Sequence, residues 1–212
     1  MRKNLARATL HAYNKNADNY LKKFGNFEPY REKIELFSQK YIPKHAKVLD
    51  LGCGPGGNAR LIRERVPTCS VTGVDVSQKM IALARQLAPK GDFIVEDIRQ
   101  FMPDRLFDVV IASFCIVHLT DQETAALLST LSKGMAENGY LYLSFMEGDG
   151  EGLERTSFST EHIYFNYYQT NRIHRLLSQN LFEVQEVLTE DYVEQDGSIT
   201  QDTFMFAVKV NN

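Results

Sequence analysis

The chain has 212 residues, 43% of them hydrophobic and 24% charged, with a formal net charge of −3. That composition excludes a disordered or fibrous chain, and the length suits a single domain with appendages. The near balance of charge speaks against bulk electrostatic binding to nucleic acid, so no nucleic-acid partner is expected.

Cys53, Cys69 and Cys115 lie far apart, with neither a CxxC pair nor metal-ligand spacing. No metal site is expected, and a sparse, odd cysteine count fits a reducing, cytoplasmic compartment. The N-terminal segment has basic residues but no continuous apolar region of the secretory kind. The most apolar run, Val109–Val117, falls well short of the ~20 residues that cross a bilayer, so no membrane partner is expected.

In chain order, two helical stretches come first, around Asn4–Phe24 and Glu28–Tyr41. Five short apolar runs then read as buried strands: Lys47–Leu51, Ser70–Asp75, Asp92–Val95, Phe107–Ser113 and Gly139–Phe145. Several are rich in Val, Ile and Phe, as strands covered on both faces are. Helical patterns separate them. Ser77 caps a segment whose Met80, Ile81, Ala84, Leu87 and Ala88 share one face, ending before Pro89 and Gly91. Thr120 and Glu123 form a capping box, followed by Leu127, Leu128, Leu131 and Met135 at helical spacing up to Asn138-Gly139. After Thr160 a helix pattern runs to about Gln179. Two β-rich segments, Phe182–Val193 and Thr203–Val210, close the chain around the turn residues Asp196-Gly197-Ser198.

Strand alternating with helix implies βαβ units and a parallel sheet. The two closing β-segments have no helix between them, which makes one of them antiparallel. The expected fold is therefore α/β: a Rossmann-like three-layer sandwich around a seven-stranded, mostly parallel sheet, with an antiparallel strand near one edge.

The strongest local signal is Val48-Leu49-Asp50-Leu51-Gly52-Cys53-Gly54-Pro55-Gly56-Gly57-Asn58, a buried strand running through a glycine-rich turn into a helix. Four glycines in six residues exceed what a tight turn needs, and they leave room for a ligand where a Cβ would collide. In an open α/β sheet such a turn lies at the carboxyl ends of the strands, where ligands bind. Gly52, Gly54 and Gly57 also satisfy GxGxxG, with Asp75 ending the next strand, which by itself does not separate a dinucleotide from another nucleoside. Three features disfavour a dinucleotide fold: Asp50 inside the strand, the long segment before it, and the paired β-segments at the end.

The run Asp50-Leu51-Gly52-Cys53-Gly54-Pro55-Gly56 resembles the first motif of class I S-adenosylmethionine-dependent methyltransferases. The resemblance continues through Gly73-Val74-Asp75-Val76-Ser77, Val95-Glu96-Asp97-Ile98, Phe107-Asp108-Val109-Val110 and Asn138-Gly139-Tyr140-Leu141, over about residues 10–210. It implies S-adenosylmethionine as cofactor and methyl transfer to a small-molecule acceptor. It divides the single domain, 1–212, into a helical cap (1–42), a cofactor-binding core (43–146), a lid or substrate insertion (147–170) and a closing helix end with β-segments (171–212).

The resemblance also implies roles. Backbone at Gly52 and Gly54 would pass close to the methionyl part of the cofactor, with Asp50 shaping that pocket. Asp75 would accept from both ribose hydroxyls, and Met80 would pack on the adenine. Asp97 would accept from the adenine amino group while the Ile98 amide meets a ring nitrogen. Ser113 would lie beside the cofactor, and Tyr20 would touch its methionyl end. His118, just past the fourth strand, is the histidine placed to act catalytically, with a structural role equally open. Tyr13 and Tyr20, together with Glu147–Tyr168, form the expected lid, and the acidic, glycine-rich Glu147–Gly152 is expected to be mobile. The aromatic cluster Tyr164-Phe165-Asn166-Tyr167-Tyr168 offers faces for a flat or cationic acceptor, or packing against the sheet. Two other function classes stay open: a non-catalytic binding protein on the same scaffold, and an NAD(P)-dependent oxidoreductase.

Overall fold

The computed structural model describes residues 2–193 and 197–211. Three helices lead the chain: α1 (Arg2–Lys15), α2 (Ala17–Phe24) and α3 (Glu28–Tyr41). The core then alternates β1 (Lys47–Leu51), α4 (Gly57–Arg65), β2 (Ser70–Asp75), α5 (Gln78–Leu87), β3 (Asp92–Val95), β4 (Phe107–Ser113), α6 (Asp121–Gly134) and β5 (Met135–Met146). A hairpin of β6 (Glu151–Thr156) and β7 (Ser159–Asn166) follows, then α7 (Thr170–Gln179), β8 (Phe182–Val193) and β9 (Ile199–Lys209).

The main sheet has seven strands in the order β3-β2-β1-β4-β5-β9-β8. Pairings from β3 through β5 are parallel, whereas β9 runs antiparallel to both β5 and β8. The antiparallel strand thus lies one place in from the edge, as the unlinked pair of closing segments requires. Both faces of the sheet are covered at its centre, which is why the central strands are largely apolar. On β5 the alternation is explicit: Leu141 and Leu143 join the cluster with Leu128 and Leu177, while Tyr142 faces the cluster with Phe37 and Ile62.

The start signals act as read. Ser77 Oγ accepts from the Met80 amide at 3.1 Å, opening α5. Thr120 and Glu123 form a reciprocal capping box at α6, with the Thr120 amide donating to Glu123 at 2.8 Å. Since strand order reverses between β1 and β4, the turn after β1 faces the crevice where an open sheet binds ligands.

Several boundaries differ from the sequence reading. The helix expected after Thr160 begins only at Thr170, because 159–166 is strand β7, paired with β6. Ile163, Tyr164 and Phe165 are buried together on it, and β-branched and aromatic residues in sequence suit a pleated strand better than one helix stripe. The acidic segment expected to be mobile is partly strand: Glu151–Thr156 belongs to the hairpin, and only 147–150 is left as a turn before it. Helix α6 stops at Gly134, so Met135 starts β5 rather than extending the helix. Strand β9 starts at Ile199, four positions ahead of the expected Thr203. Of the expected closing turn, Asp196 lies outside the described residues; Gly197 has φ +84°.

Candidate functional site

The turn after β1 builds the floor of the site. Gly52 (φ +61°) and Gly54 (φ +52°) hold the left-handed backbone that glycine tolerates best. At Gly52 a Cβ would stand 2.6 Å from Cys115 Cβ, so the turn could not close with any other residue there. At Gly54 the added atom would point toward Tyr20, 3.8 Å from its Cε1.

Asp75, at the end of β2, ties this turn to the next helix. Its Oδ2 accepts from the Gly54 amide at 2.9 Å and its Oδ1 from the Ser77 amide at 2.8 Å. Each oxygen keeps a lone pair for a further donor. Burial nevertheless raises its pKa, the two amide bonds opposing that only in part.

Behind the turn, Asp50 is fully buried within β1, and neither carboxylate oxygen has a hydrogen-bond partner among the described residues. Burial first, and the Asp75 charge second, push its pKa up to about 8; Asn58 close by lowers it without meeting hydrogen-bond geometry. A carboxyl left this way is a demand for a donor or a positive charge.

One cleft gathers nearly all the expected residues. Tyr20, Gly52, Gly54, Asp75, Met80, Asp97, Ile98, Ser113 and His118 line a space of about 850 Å³ counted to its open mouth. Asp50 is the exception, lying beneath the floor. Asp97 is present but already engaged: both of its oxygens accept from the Arg99 side chain, and Oδ1 also takes the Arg99 amide at 3.0 Å. Burial opposes its ionisation, but the Arg99 bonds and charge outweigh that and hold its pKa low.

A second cleft, about 770 Å³ to its mouth, adjoins the first and shares Tyr13, Tyr20, Phe114 and His118 with it. Its walls are aromatic, with Phe24, Tyr30, Phe158, Phe165 and Tyr192, and its polar groups include Glu154, Arg155 and Thr156. The Thr156 hydroxyl is buried without a hydrogen-bond partner among the described residues.

Residues 48–139 match the family model described as a methyltransferase domain. That match spans less than half of the chain. Trans-aconitate 2-methyltransferase of Variovorax paradoxus is 34% identical over 122 residues, which cover 57% of this chain and 46% of that protein. The chain thus matches less than half the length of that curated relative. The Burkholderia thailandensis 1,6-didemethyltoxoflavin-N1-methyltransferase, solved with that compound and S-adenosylhomocysteine, superposes with a TM-score of 0.75 over 100% of this chain and 91% of its own, at 16% identity. The [4+2]-cyclase SpnF shares the fold too, at a TM-score of 0.67 and 16% identity, covering 86% and 81%.

Sequence reasoning missed two parts of the site. One is the depth to which α1 enters it. Asn14 accepts from Ser77 Oγ at 2.7 Å, and Ala6, Thr9 and Leu10 line the cleft. The other is Phe114, with φ +51°, a conformation uncommon for an aromatic residue, where the chain turns out of β4 between the two clefts. Neither leaves a local signal, since an aromatic or an asparagine at those places is unremarkable.

The two segments expected to form a lid meet each other. Asn16 donates to Ser159 Oγ at 3.0 Å, Lys15 pairs with Glu161 at 2.5 Å, and Lys23 bonds Ser157. Phe158, at the tip of the hairpin, packs on Tyr13, Tyr20 and Phe24. In the aromatic cluster, Tyr164, Phe165 and Tyr168 are buried, and Phe165 alone of the five lines the second cleft.

Proposed function

We propose that the protein is an S-adenosylmethionine-dependent methyltransferase acting on a small-molecule acceptor. The observation that carries this reading is the placement of the Gly52–Gly54 turn, Asp75 and the Asp97-Ile98 step at the carboxyl ends of three adjacent strands, around one cleft.

The residues present fit the cofactor. Asp75 keeps acceptor capacity on both oxygens for a pair of ribose hydroxyls. The unpartnered carboxyl of Asp50 asks for positive charge under the glycine turn, and this cofactor carries a sulfonium and an ammonium. When bound, the cofactor supplies a methyl group activated by its positive sulfur.

The chain's own residues then bind and orient. Gly52 and Gly54 let the backbone approach the methionyl part, with Tyr20 above and Ser113 beside it. Met80 and the Ile98 amide take the adenine. Asp97, held by Arg99, contributes to that end through its fixed negative charge and whatever lone-pair capacity Arg99 leaves. Aligning two reactants in this way can supply ~7–11 kcal/mol of the barrier, and a base is needed only where the acceptor must lose a proton. The aromatic second cleft holds the acceptor against the methionyl end, and His118 stands at the boundary of the two clefts.

Calorimetry with S-adenosylhomocysteine and with NAD tests the cofactor, and release of S-adenosylhomocysteine from S-adenosylmethionine tests turnover. Trans-aconitate, for which the curated relatives are named, enters the acceptor panel as its carboxylate member, beside hydroxyl and amine compounds. Micromolar binding of S-adenosylhomocysteine supports the reading. Binding of NAD with none of S-adenosylhomocysteine overturns it.

A further inference from the structure

At the boundary of the two clefts, three groups are joined in line. Tyr13 Oη lies 2.9 Å from His118 Nε2, and His118 Nδ1 lies 2.9 Å from the Tyr164 carbonyl oxygen. A carbonyl only accepts, so Nδ1 carries the proton. Burial without a carboxylate partner pushes His118 down to about 4, so the ring is neutral near pH 7 and Nε2 is a bare lone pair. Tyr13 must therefore spend its hydroxyl proton on Nε2.

The phenol oxygen is left with lone pairs only, on a residue that lines both clefts and has no other hydrogen bond among the described residues. The rings are braced so that this direction persists: His118 packs edge-on against Tyr13, with centroids 5.3 Å apart, and against Phe165 at 5.2 Å. The Tyr164 amide is itself occupied, donating to Thr9 Oγ1 at 3.1 Å.

From this one-way chain of bonds we infer that the acceptor presents an O–H or N–H donor to Tyr13, a hydroxyl, phenol or amine rather than a carboxylate. The inference rests on the methyltransferase reading and narrows its substrate. A carboxylate would set its lone pairs against those of Tyr13, whereas a hydroxyl or amine completes the chain. Tyr13 is the group that meets the acceptor, and His118 is a positioning residue that acts through it.

The same line carries away the proton such an acceptor must lose. As the acceptor's lone pair forms its bond to the methyl carbon, the carbon–sulfur bond breaks with its pair on sulfur. Tyr13 Oη takes the acceptor's proton while its own passes to His118 Nε2. The positive charge lost from the sulfonium passes to an imidazolium whose Nδ1–H stays on the Tyr164 carbonyl, and because burial disfavours that cation the ring gives its proton up to water as the product leaves.

The test reads the His118 ring by long-range ¹H–¹⁵N NMR on the full chain at pH 7, without ligand and then saturated with S-adenosylhomocysteine. His118→Asn, by loss of the signal, or Tyr13→Phe, by its shift, assigns it. The expected result is the Nδ1–H form, with p-cresol moving the Nε2 signal at least threefold more than equimolar p-toluate. An Nε2–H or doubly protonated ring overturns the inference. So does a p-toluate response as large as that of p-cresol, or no response to p-cresol. Failure of S-adenosylhomocysteine to bind would instead strike the methyltransferase reading, since the tautomer is read in the ligand-free protein.

Discussion

Replacing Asp50 with Asn should abolish a proton release that accompanies cofactor binding. Asp50 has no hydrogen-bond partner among the described residues, and burial together with Asp75 sets its pKa at about 8. At pH 7 it then holds roughly 0.9 of a proton. A bound sulfonium and ammonium favour the carboxylate, so binding S-adenosylmethionine should expel most of that proton. If only the ionised form binds, affinity rises about 50-fold from pH 6 to pH 8, which is about 2 kcal/mol. The ligand's own α-amino group titrates near ~7.7–8.0 and works in the opposite sense, losing its charge as pH rises. The diagnostic quantity is therefore wild type minus Asp50→Asn. Stability follows the same group: its folded pKa lies above its unfolded one, so its contribution is full below about pH 4 and is lost as pH rises toward 8. Ligand-free wild type should accordingly lose more stability over that range than Asp50→Asn. Calorimetry in two buffers of different ionisation enthalpy counts the protons. Equal proton release by wild type and Asp50→Asn, with parallel pH profiles, would refute the argument.

Asp75→Ala should weaken S-adenosylhomocysteine binding by roughly 2–4 kcal/mol, as two charge-assisted bonds to the ribose are lost. Asp75→Asn should fall between, because its single acceptor oxygen cannot serve both the Gly54 and Ser77 amides; unchanged affinity in the Ala variant, by calorimetry, would remove the ribose assignment. Gly52→Ala should lower thermal stability and cofactor affinity together, since its Cβ meets Cys115 Cβ at 2.6 Å in a left-handed conformation worth ~1–3 kcal/mol of strain. Deleting residues 1–24 should weaken cofactor binding yet keep the sheet's far-ultraviolet signature, because Tyr13 and Tyr20 line the cleft while the first strand among the described residues starts at Lys47. Cofactor and acceptor together should slow hydrogen exchange in α1, α2 and the 147–158 segment, and an unchanged pattern there would mean the contact between them is fixed packing.

Much of the core was legible because its causes are local. Strands β1 to β4 were read to the residue; in β4, burial on both faces leaves the uninterrupted apolar run Val109–Ala112, whereas the more exposed β3 shows only as the short run Phe93-Ile94-Val95. Ser77 and the Thr120–Glu123 pair marked helix starts through bonds three residues long. The β6–β7 hairpin escaped because one side of it is polar and its partner strand is what makes it a strand. Residues 151–156 alternate between exposed and half-buried, which carries no strong apolar signal, and β7's buried end reads equally well as the start of α7.

Expected site residues came together for a related reason. Gly52, Gly54, Asp75 and Asp97-Ile98 sit at strand ends, so the parallel order of the sheet alone carries them to one crevice. What their partners would be was another matter. Asp97 is taken up by Arg99, two residues on, and Asp50 is left with no hydrogen-bond partner among the described residues. Both are outcomes of side-chain packing that a motif does not record.

The sequence by itself therefore determined the strand–helix alternation, the glycine turn and the acid that follows it, because backbone sterics and apolar periodicity act over a few residues. Only the tertiary structure decided which way hydrogen bonds run where the two clefts meet. Tyr13 and His118 are 105 positions apart, and His118 and Tyr164 are 46 apart. The direction of that chain is set by a main-chain carbonyl, a group every residue has, so no side-chain pattern encodes it.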